Sequence, residues 1–322
     1  MLKYVLRRAL YSIPVLILAS MLIFVLVREF GTDPARARCG VSRDKQCIPR
    51  VEKELGLDQA LPVQYVDYMT EFVQGHWGDS QRTGQSVDDS IRRALWDTTQ
   101  LAFWAVLLSG GIAVAIGVYS ASKPYSPGDY AFTGLAFAGL ALPTFWLGLL
   151  MIQYFTYELQ QWSGSGDVIF RSIPFAEGPQ SPVQYFQELA LPVFVLSVQL
   201  VAGWSRYQRS SMLEELNSDY IRTARAKGLP RRRVIWKHGL RNSLSALVTV
   251  MAIDIGALFG GLIITERVFS RPGMGTLLLT ALQNGDTNIL LPWMLVTGAF
   301  IIVFNLIADV MYGVLDPRVR VA

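Results

Sequence analysis

The chain has 322 residues, of which 52% are apolar and only 17% charged, and its mean hydropathy is +0.33. Soluble globular chains carry about 25% charged residues, so this composition excludes an ordinary soluble enzyme and a disordered polar chain. The net charge of +4 and the pI near 9.1 point first to basic flanks of membrane spans, and only then to nucleic acid.

A helix needs about 20 apolar residues to cross a bilayer, because lipid offers its backbone no hydrogen-bonding partner. The first such stretch is uncharged from Ala9 to Val27 and follows Lys3, Arg7 and Arg8. It is longer than a signal-peptide core, and no small-x-small cleavage site follows promptly, so it reads as a retained span. Further stretches run Thr98–Ser122, Tyr130–Tyr157 and Leu189–Ser205. A fifth runs Asn242–Thr265 with Asp254 inside it, and a sixth runs Ile289–Ala308 and continues past Asp309 to Leu315. The expected fold is an all-α membrane protein of six transmembrane helices. Residues 1–29 hold the N-terminal segment and first span, and 30–97 form a large extracytoplasmic loop with short helices. Residues 98–322 form a five-helix core that includes a cytoplasmic segment, 206–241.

The basic residues set the orientation. With the N-terminus inside, the inner pieces hold Lys3, Arg7, Arg8, Lys123, Arg318 and Arg320. They also hold segment 206–241, whose ten basic and three acidic residues leave it at +7. The two short outer loops carry only Arg171, Arg267 and Arg271, and in 28–97 twelve acidic residues offset ten basic ones. Both termini are therefore expected in the cytoplasm of a bacterial-type plasma membrane. A nucleic-acid patch or a lipid-binding stripe would also be basic, but positive-inside bias explains the sign of 206–241 without either.

The long outer segment contains both cysteines, Cys39 and Cys47, with seven residues between them. On an oxidising face they either close a small loop as a disulfide or remain two free thiols. Pro62 opens a helical pattern with Tyr65, Val66, Met69, Phe72 and Val73 on one face, and Gly75 ends it. Val87, Ile91 and Leu95 give a second such face just before the second span. Both read as helices on the outer surface, meeting a partner or capping the bundle. The run Gln283, Asn284, Gly285, Asp286 reads as a solvated turn by default, or a contact for an outer partner.

Catalytic groups are sparse. No Gly-Lys-Ser or Gly-Lys-Thr occurs, so the chain carries no Walker-type nucleotide site. The two histidines, His76 and His238, fall on opposite sides of the membrane, which excludes a paired-histidine metal site and weakens most triads. The string Ser163-Gly164-Ser165-Gly166 superficially resembles a nucleophile turn but reads as a linker. Asp254 and Asp309 lie within spans, where a carboxylate costs about 2.5–3.5 kcal/mol at the helix centre and needs a polar neighbour or water. Asp309, near the inner end, reads as structural. Asp254, followed by Gly256, Gly260 and Gly261, reads as packed against a neighbouring helix or lining a pathway. Gln199 and Asn305 are further polar positions inside spans, and Pro143 and Pro292 are candidate kinks.

Between the fourth and fifth spans the chain reads SSMLEELNSDYIRTARAKGLPRRRVIWKHGLRNSL over 210–244. Asp219 is expected to cap a short helix through Ala226–Lys227, Gly228 to stop it, and Pro230 to open another. YIRTARAKGL followed by HGLRN resembles the cytoplasmic coupling motif of binding-protein-dependent ABC permeases, in the form of the dipeptide/oligopeptide branch. In the general motif, three residues separate EAA from a glycine, and nine more separate that glycine from I-x-L-P. Here Arg222, Thr223 and Ala224 fill the first places, Gly228 is the glycine, and His238, Gly239, Leu240 and Arg241 follow at the second spacing. YVLRRALYSIPVL, GLDQALPVQYV at 56–66, ALPTFWLGLLMI at 141–152, ERVFSRPGMGTLL at 266–278 and DPRVR at 316–320 resemble family segments in the same order.

The resemblance implies a permease subunit that is not itself an enzyme and contains no metal or cofactor. It implies a homologous second permease, two ABC ATPase subunits that bind ATP and Mg, and an extracytoplasmic substrate-binding protein. No nucleic acid is expected, and membrane lipid surrounds the chain. The coupling residues would be Tyr220, Ile221, Arg222, Thr223, Ala224, Arg225, Ala226, Lys227, Gly228 and Leu229. The pathway candidates are Gln199, Asp254 and Asn305. Dipeptides or oligopeptides are the expected substrates, with oligosaccharides or nickel as alternatives in the same architecture. An intramembrane enzyme lacks its catalytic set here, and a passive channel has no use for a coupling motif.

Overall fold

The computed structural model describes residues 2–31, 33–39, 46–164, 168–175, 181–260 and 262–315. The first apolar stretch is a single helix, α1 (Leu2–Phe30). Two short helices follow, α2 (Pro34–Cys39) and α3 (Cys47–Glu54), and Cys39 and Cys47 are joined as a disulfide. In α4 (Leu61–Gln74), Pro62 occupies the first turn, where its missing N–H costs nothing. Gly75 ends the helix at φ 85°, with its own N–H bonded to Phe72 O and that of His76 to Glu71 O. Tyr65, Tyr68, Met69 and Phe72 of α4 pack on the buried Phe24 of α1, and the Ser20 and Tyr65 hydroxyls are hydrogen-bonded at 2.7 Å. The inward face of α4 therefore caps the bundle, while Val66 and Val73, grouped with it in the sequence, are exposed.

α5 (Val87–Ser122) is one continuous helix of 36 residues. At 1.5 Å per residue it is about 54 Å long, against a hydrocarbon core of about 30 Å. The face made by Val87, Ile91 and Leu95 is thus not a separate surface helix but the projecting first turns of the second span. No glycine or proline interrupts residues 87–109, so nothing stops the helix at the membrane boundary. Val87, Ile91 and Ala94 instead bury themselves against Met274, Ile289, Leu290 and Trp293.

The third apolar stretch is broken. α6 (Pro127–Ala141) and α7 (Thr144–Ser163) meet at 99°, where Leu142 is extended, at φ −76° and ψ 123°. Pro143 is the cause: it disfavours helical geometry in the residue before it and cannot donate to the preceding turn. α8 (Pro182–Leu216) is capped by Ser181, whose hydroxyl accepts from Gln184 N–H. It packs along α5, with Leu101, Ala102 and Ala105 against Leu189, Val193 and Leu196. The alanines let the backbones approach closely enough for reciprocal bonds, Ser197 Oγ to Ala105 O at 3.4 Å and Ser109 Oγ to Ser197 O at 3.5 Å.

The chain then forms α9 (Asp219–Ala226) and α10 (Arg231–Phe259). α10 ends six residues before the apolar stretch does, and α11 (Ile263–Val268) begins a new direction. α12 (Met274–Asn284) and α13 (Thr287–Leu315) complete the fold; Pro292 lies within α13 without breaking it. Phe259 of α10 stacks on both Phe300 and Phe304 of α13, and a Cβ at Gly256 would come within 3.0 Å of Phe304. At the far end of α13, Asp309 pairs with Arg8 of α1 at 2.9 Å. Among the described residues five helices are long and apolar enough to cross a membrane, six if the bent pair α6–α7 counts as one span.

The turn between α11 and α12 is anchored on α5 by buried polar groups. Thr98 Oγ1 donates to Glu266 Oε1 at 2.6 Å and accepts from Met274 N–H at 2.8 Å, while Glu266 Oε2 accepts from Thr276 N–H at 2.9 Å. Next to it, Arg271 grips Asp97 with two hydrogen bonds, the Nε bond at 3.0 Å. Gly273 is required by space: a Cβ there would strike Glu266 Oε1 and lie 2.6 Å from Thr98 Oγ1. Asp286 belongs to the same end and is not a solvated turn residue, since it is buried and accepts from Ser80 Oγ at 2.5 Å.

Burial pushes the Glu266 carboxyl above the usual range, against the bond from Thr98. The folded state therefore holds this proton more tightly than the unfolded chain. The associated stability is fully present below the ordinary glutamate value and is lost as pH rises through the raised one. Thermal unfolding of the detergent-solubilised protein across that window should show this loss, and Glu266→Gln should flatten it. The same variant should keep most of the low-pH stability, because its amide oxygen can accept from Thr276 N–H while its NH2 donates to Thr98 Oγ1.

Candidate functional site

The segment between α8 and α10 is built around two buried apolar side chains. Ile221 and Ala224 of α9 pack against Val234 at the start of α10, with Leu229 beside them. A helix of this length is not stable alone in water, so this contact holds α9 in place. The N-cap is Ser218, not Asp219. Asp219 begins the helix instead, where its charge complements the helix dipole. The N–H groups of Gly228 and Leu229 bond back to Arg225 O and Ala224 O, and Gly228 has φ 73°. A Cβ at Gly228 would meet no atom within 4 Å, so backbone conformation, not crowding, favours glycine there.

With Ile221 and Ala224 turned inward, Tyr220, Arg222, Thr223, Arg225, Ala226 and Lys227 are exposed. Tyr220 donates its hydroxyl to Glu215 and accepts from Asn242 Nδ2 at 2.9 Å, which fastens α9 to both flanking helices. Burial, with the Glu215 bond second, pushes that hydroxyl's pKa up. Arg222 reaches Asp219 at 3.4 Å, an exposed pair worth little to stability. Arg225 Nη2 donates to Leu216 O at 3.3 Å. These ten residues thus form one short helical unit with a largely cationic exposed face.

The expected pathway residues separate into different roles. Gln199 of α8 donates Nε2 to Leu142 O at 3.3 Å, the carbonyl at the 99° break. Asp254 of α10 accepts from Trp204 Nε1 of α8 at 2.7 Å, and Trp204 is fully buried. Asn305 lies exposed on α13 and is not hydrogen-bonded to the other two among the described residues. A pair missed in the sequence joins α6 to α8: Arg209 Nε and Nη2 each donate to Asp129 at 2.7 Å. Its members are 80 residues apart, and no spacing rule connects them. Among the described residues no group of His, Cys, Asp or Glu is placed to hold a metal. Ser165, Gly166, Gly261, Arg318, Arg320 and the DPRVR ending lie outside the described residues.

Removing Trp204's donor leaves a carboxylate in the bundle without its bond. Trp204→Phe should therefore lower stability by about 1–3 kcal/mol, and Trp204→Phe with Asp254→Leu should recover part of that loss. A double-mutant cycle on melting in detergent measures the coupling.

Residues 113–321 match the family described as "Binding-protein-dependent transport system inner membrane component". Residues 1–91 match the N-terminal family of membrane components of binding-protein-dependent transport systems. An oligopeptide transport system permease protein of Bacillus subtilis is 36% identical over 99% of this chain and 100% of its own length. A putative peptide permease protein of Brucella ovis is 38% identical over the full length of both chains. A glutathione transport system permease protein of Salmonella choleraesuis is 35% identical over 99% of each. With five to six candidate spans among the described residues and matches from end to end, the chain belongs to the binding-protein-dependent transport system inner membrane components and is a multi-pass permease subunit of an ABC transporter.

Proposed function

We propose that the chain is one of two membrane subunits of an ATP-driven importer that moves dipeptides or oligopeptides into the cytoplasm. The observation that carries this reading is α9, a short helix fixed by Ile221, Ala224 and Tyr220 and exposing Arg222, Thr223, Arg225 and Lys227. A projection fixed at its base transmits displacement from a docked partner instead of absorbing it. Two ABC ATPase subunits, which bind ATP and Mg, would dock on this helix and on its counterpart in a homologous second permease. Both termini and α9 would lie in the cytoplasm, and an extracytoplasmic binding protein would deliver substrate to the opposite end. Closure of the ATPases would rock α8 and α10, between which α9 is held, and alternate the opening of the pathway. The relatives named for oligopeptide, peptide and glutathione transport support a peptide substrate over an oligosaccharide or nickel.

Charge reversal at Arg222 or Arg225 should uncouple uptake from ATP hydrolysis while the protein stays in the membrane. A bulky residue at Gly228 should act similarly, since the left-handed conformation costs a non-glycine residue about 1 kcal/mol or more and moves the helix end. ATP-dependent peptide uptake by vesicles, with membrane abundance as control, measures both. Unchanged uptake would contradict the role of α9.

A further inference from the structure

Beside α9, between Arg225 and the ends of α5, α8 and α10, lies a cavity of about 490 Å3, within the roughly 300–1,000 Å3 of small-ligand sites. Its floor is the end of α5 at Ala121 and Ser122, and its wall is the start of α10 at Val234 and Ile235. It therefore adjoins the end of the apolar stretch Thr98–Ser122, beside the basic start of α10. Leu213, Leu216 and Leu229 make it apolar on one side. Arg225 and Arg231 supply its charge, and among the described residues no carboxylate contributes to its lining. Arg231 Nη2 donates to Ser122 O at 2.6 Å and Arg225 Nη2 to Leu216 O at 3.3 Å. Backbone carbonyls orient the two guanidinium groups, and neither is ion-paired among the described residues.

We propose that this cavity holds the phosphate headgroup of an anionic phospholipid, which braces α9 against α5 and α10. Guanidinium groups pair with phosphate through charge-assisted bonds, and basic pockets between spans suit anionic headgroups. The leucine side of the cavity suits the glycerol and upper acyl carbons of the same molecule. Such an occupant would span the gap between α9 and the ends of the spans, and so stiffen the connection that transport depends on.

The test is native mass spectrometry of the assembled transporter in nanodiscs of mixed phosphatidylglycerol and phosphatidylcholine, read as retained lipid. Phosphatidylglycerol should be retained preferentially by the unaltered protein. Arg231→Gln should weaken that preference about fivefold, Arg231→Lys should keep most of it, and Asn217→Asp, which adds a carboxylate to the lining, should weaken it like Arg231→Gln. Equal retention of the two lipids, an unchanged preference in Arg231→Gln and Asn217→Asp, or equal loss in Arg231→Lys and Arg231→Gln would overturn the proposal. So would displacement of the lipid by soluble glycerol phosphate, which would assign the cavity to a free anion. Lipid retention is read without turnover, so its failure is distinct from failure of the transport reading.

Discussion

A backbone N–H or C=O inside lipid has no solvent to bond with, so wherever this chain leaves a straight helix, protein has to supply the partner. The break between α6 and α7 shows how: Pro143 ends the helix, and Gln199 of α8 bonds the carbonyl of Leu142. Trp204 meets Asp254, which could not sit inside a span unaided. The α5–α8 pair is the frame on which these bonds depend, because Ala102 and Ala105 let α8 approach closely enough for its polar side chains to reach.

At one end of that frame the constraint produces rigidity. Thr98, Glu266 and Asp97–Arg271 fix the turn between α11 and α12 on the projecting part of α5. Asp286 and Ser80 tie the start of α13 to the segment before α5. At the other end, α9 is held by few groups, Ile221 and Ala224 inside and Tyr220 outside. This asymmetry suits a permease in which one end receives force through a small element and the other keeps its shape.

Much of this was legible in the sequence. Apolar length located the five long helices and the bent α6–α7 pair, and the YIRTARAKGL segment with Gly228 located α9, because a glycine in a left-handed cap is a local property. The errors have physical causes. Charge was used to end the second span near Thr98, but helix continuity depends on the absence of glycine and proline, so α5 begins at Val87. Asp219 was expected as the cap, yet Ser218 precedes it and takes that place. The Asp129–Arg209 and Thr98–Glu266 partners are 80 and 168 residues apart, and only the folded bundle brings them together. Gln199 and Asp254 were found by polarity alone, which gave their position but not their partners.

The most direct test of α9 as the cytoplasmic docking element is a single cysteine placed at Ala226, compared with one at the exposed Gln85 near the opposite end, in the assembled transporter. A membrane-impermeant thiol reagent should label position 226 only in inside-out vesicles and position 85 only in right-side-out ones. A short cross-linker at 226 should join the chain to an ATPase subunit, and one at 85 should not. Labelling of position 226 from the outside, or no ATPase cross-link from it, would contradict a cytoplasmic coupling helix.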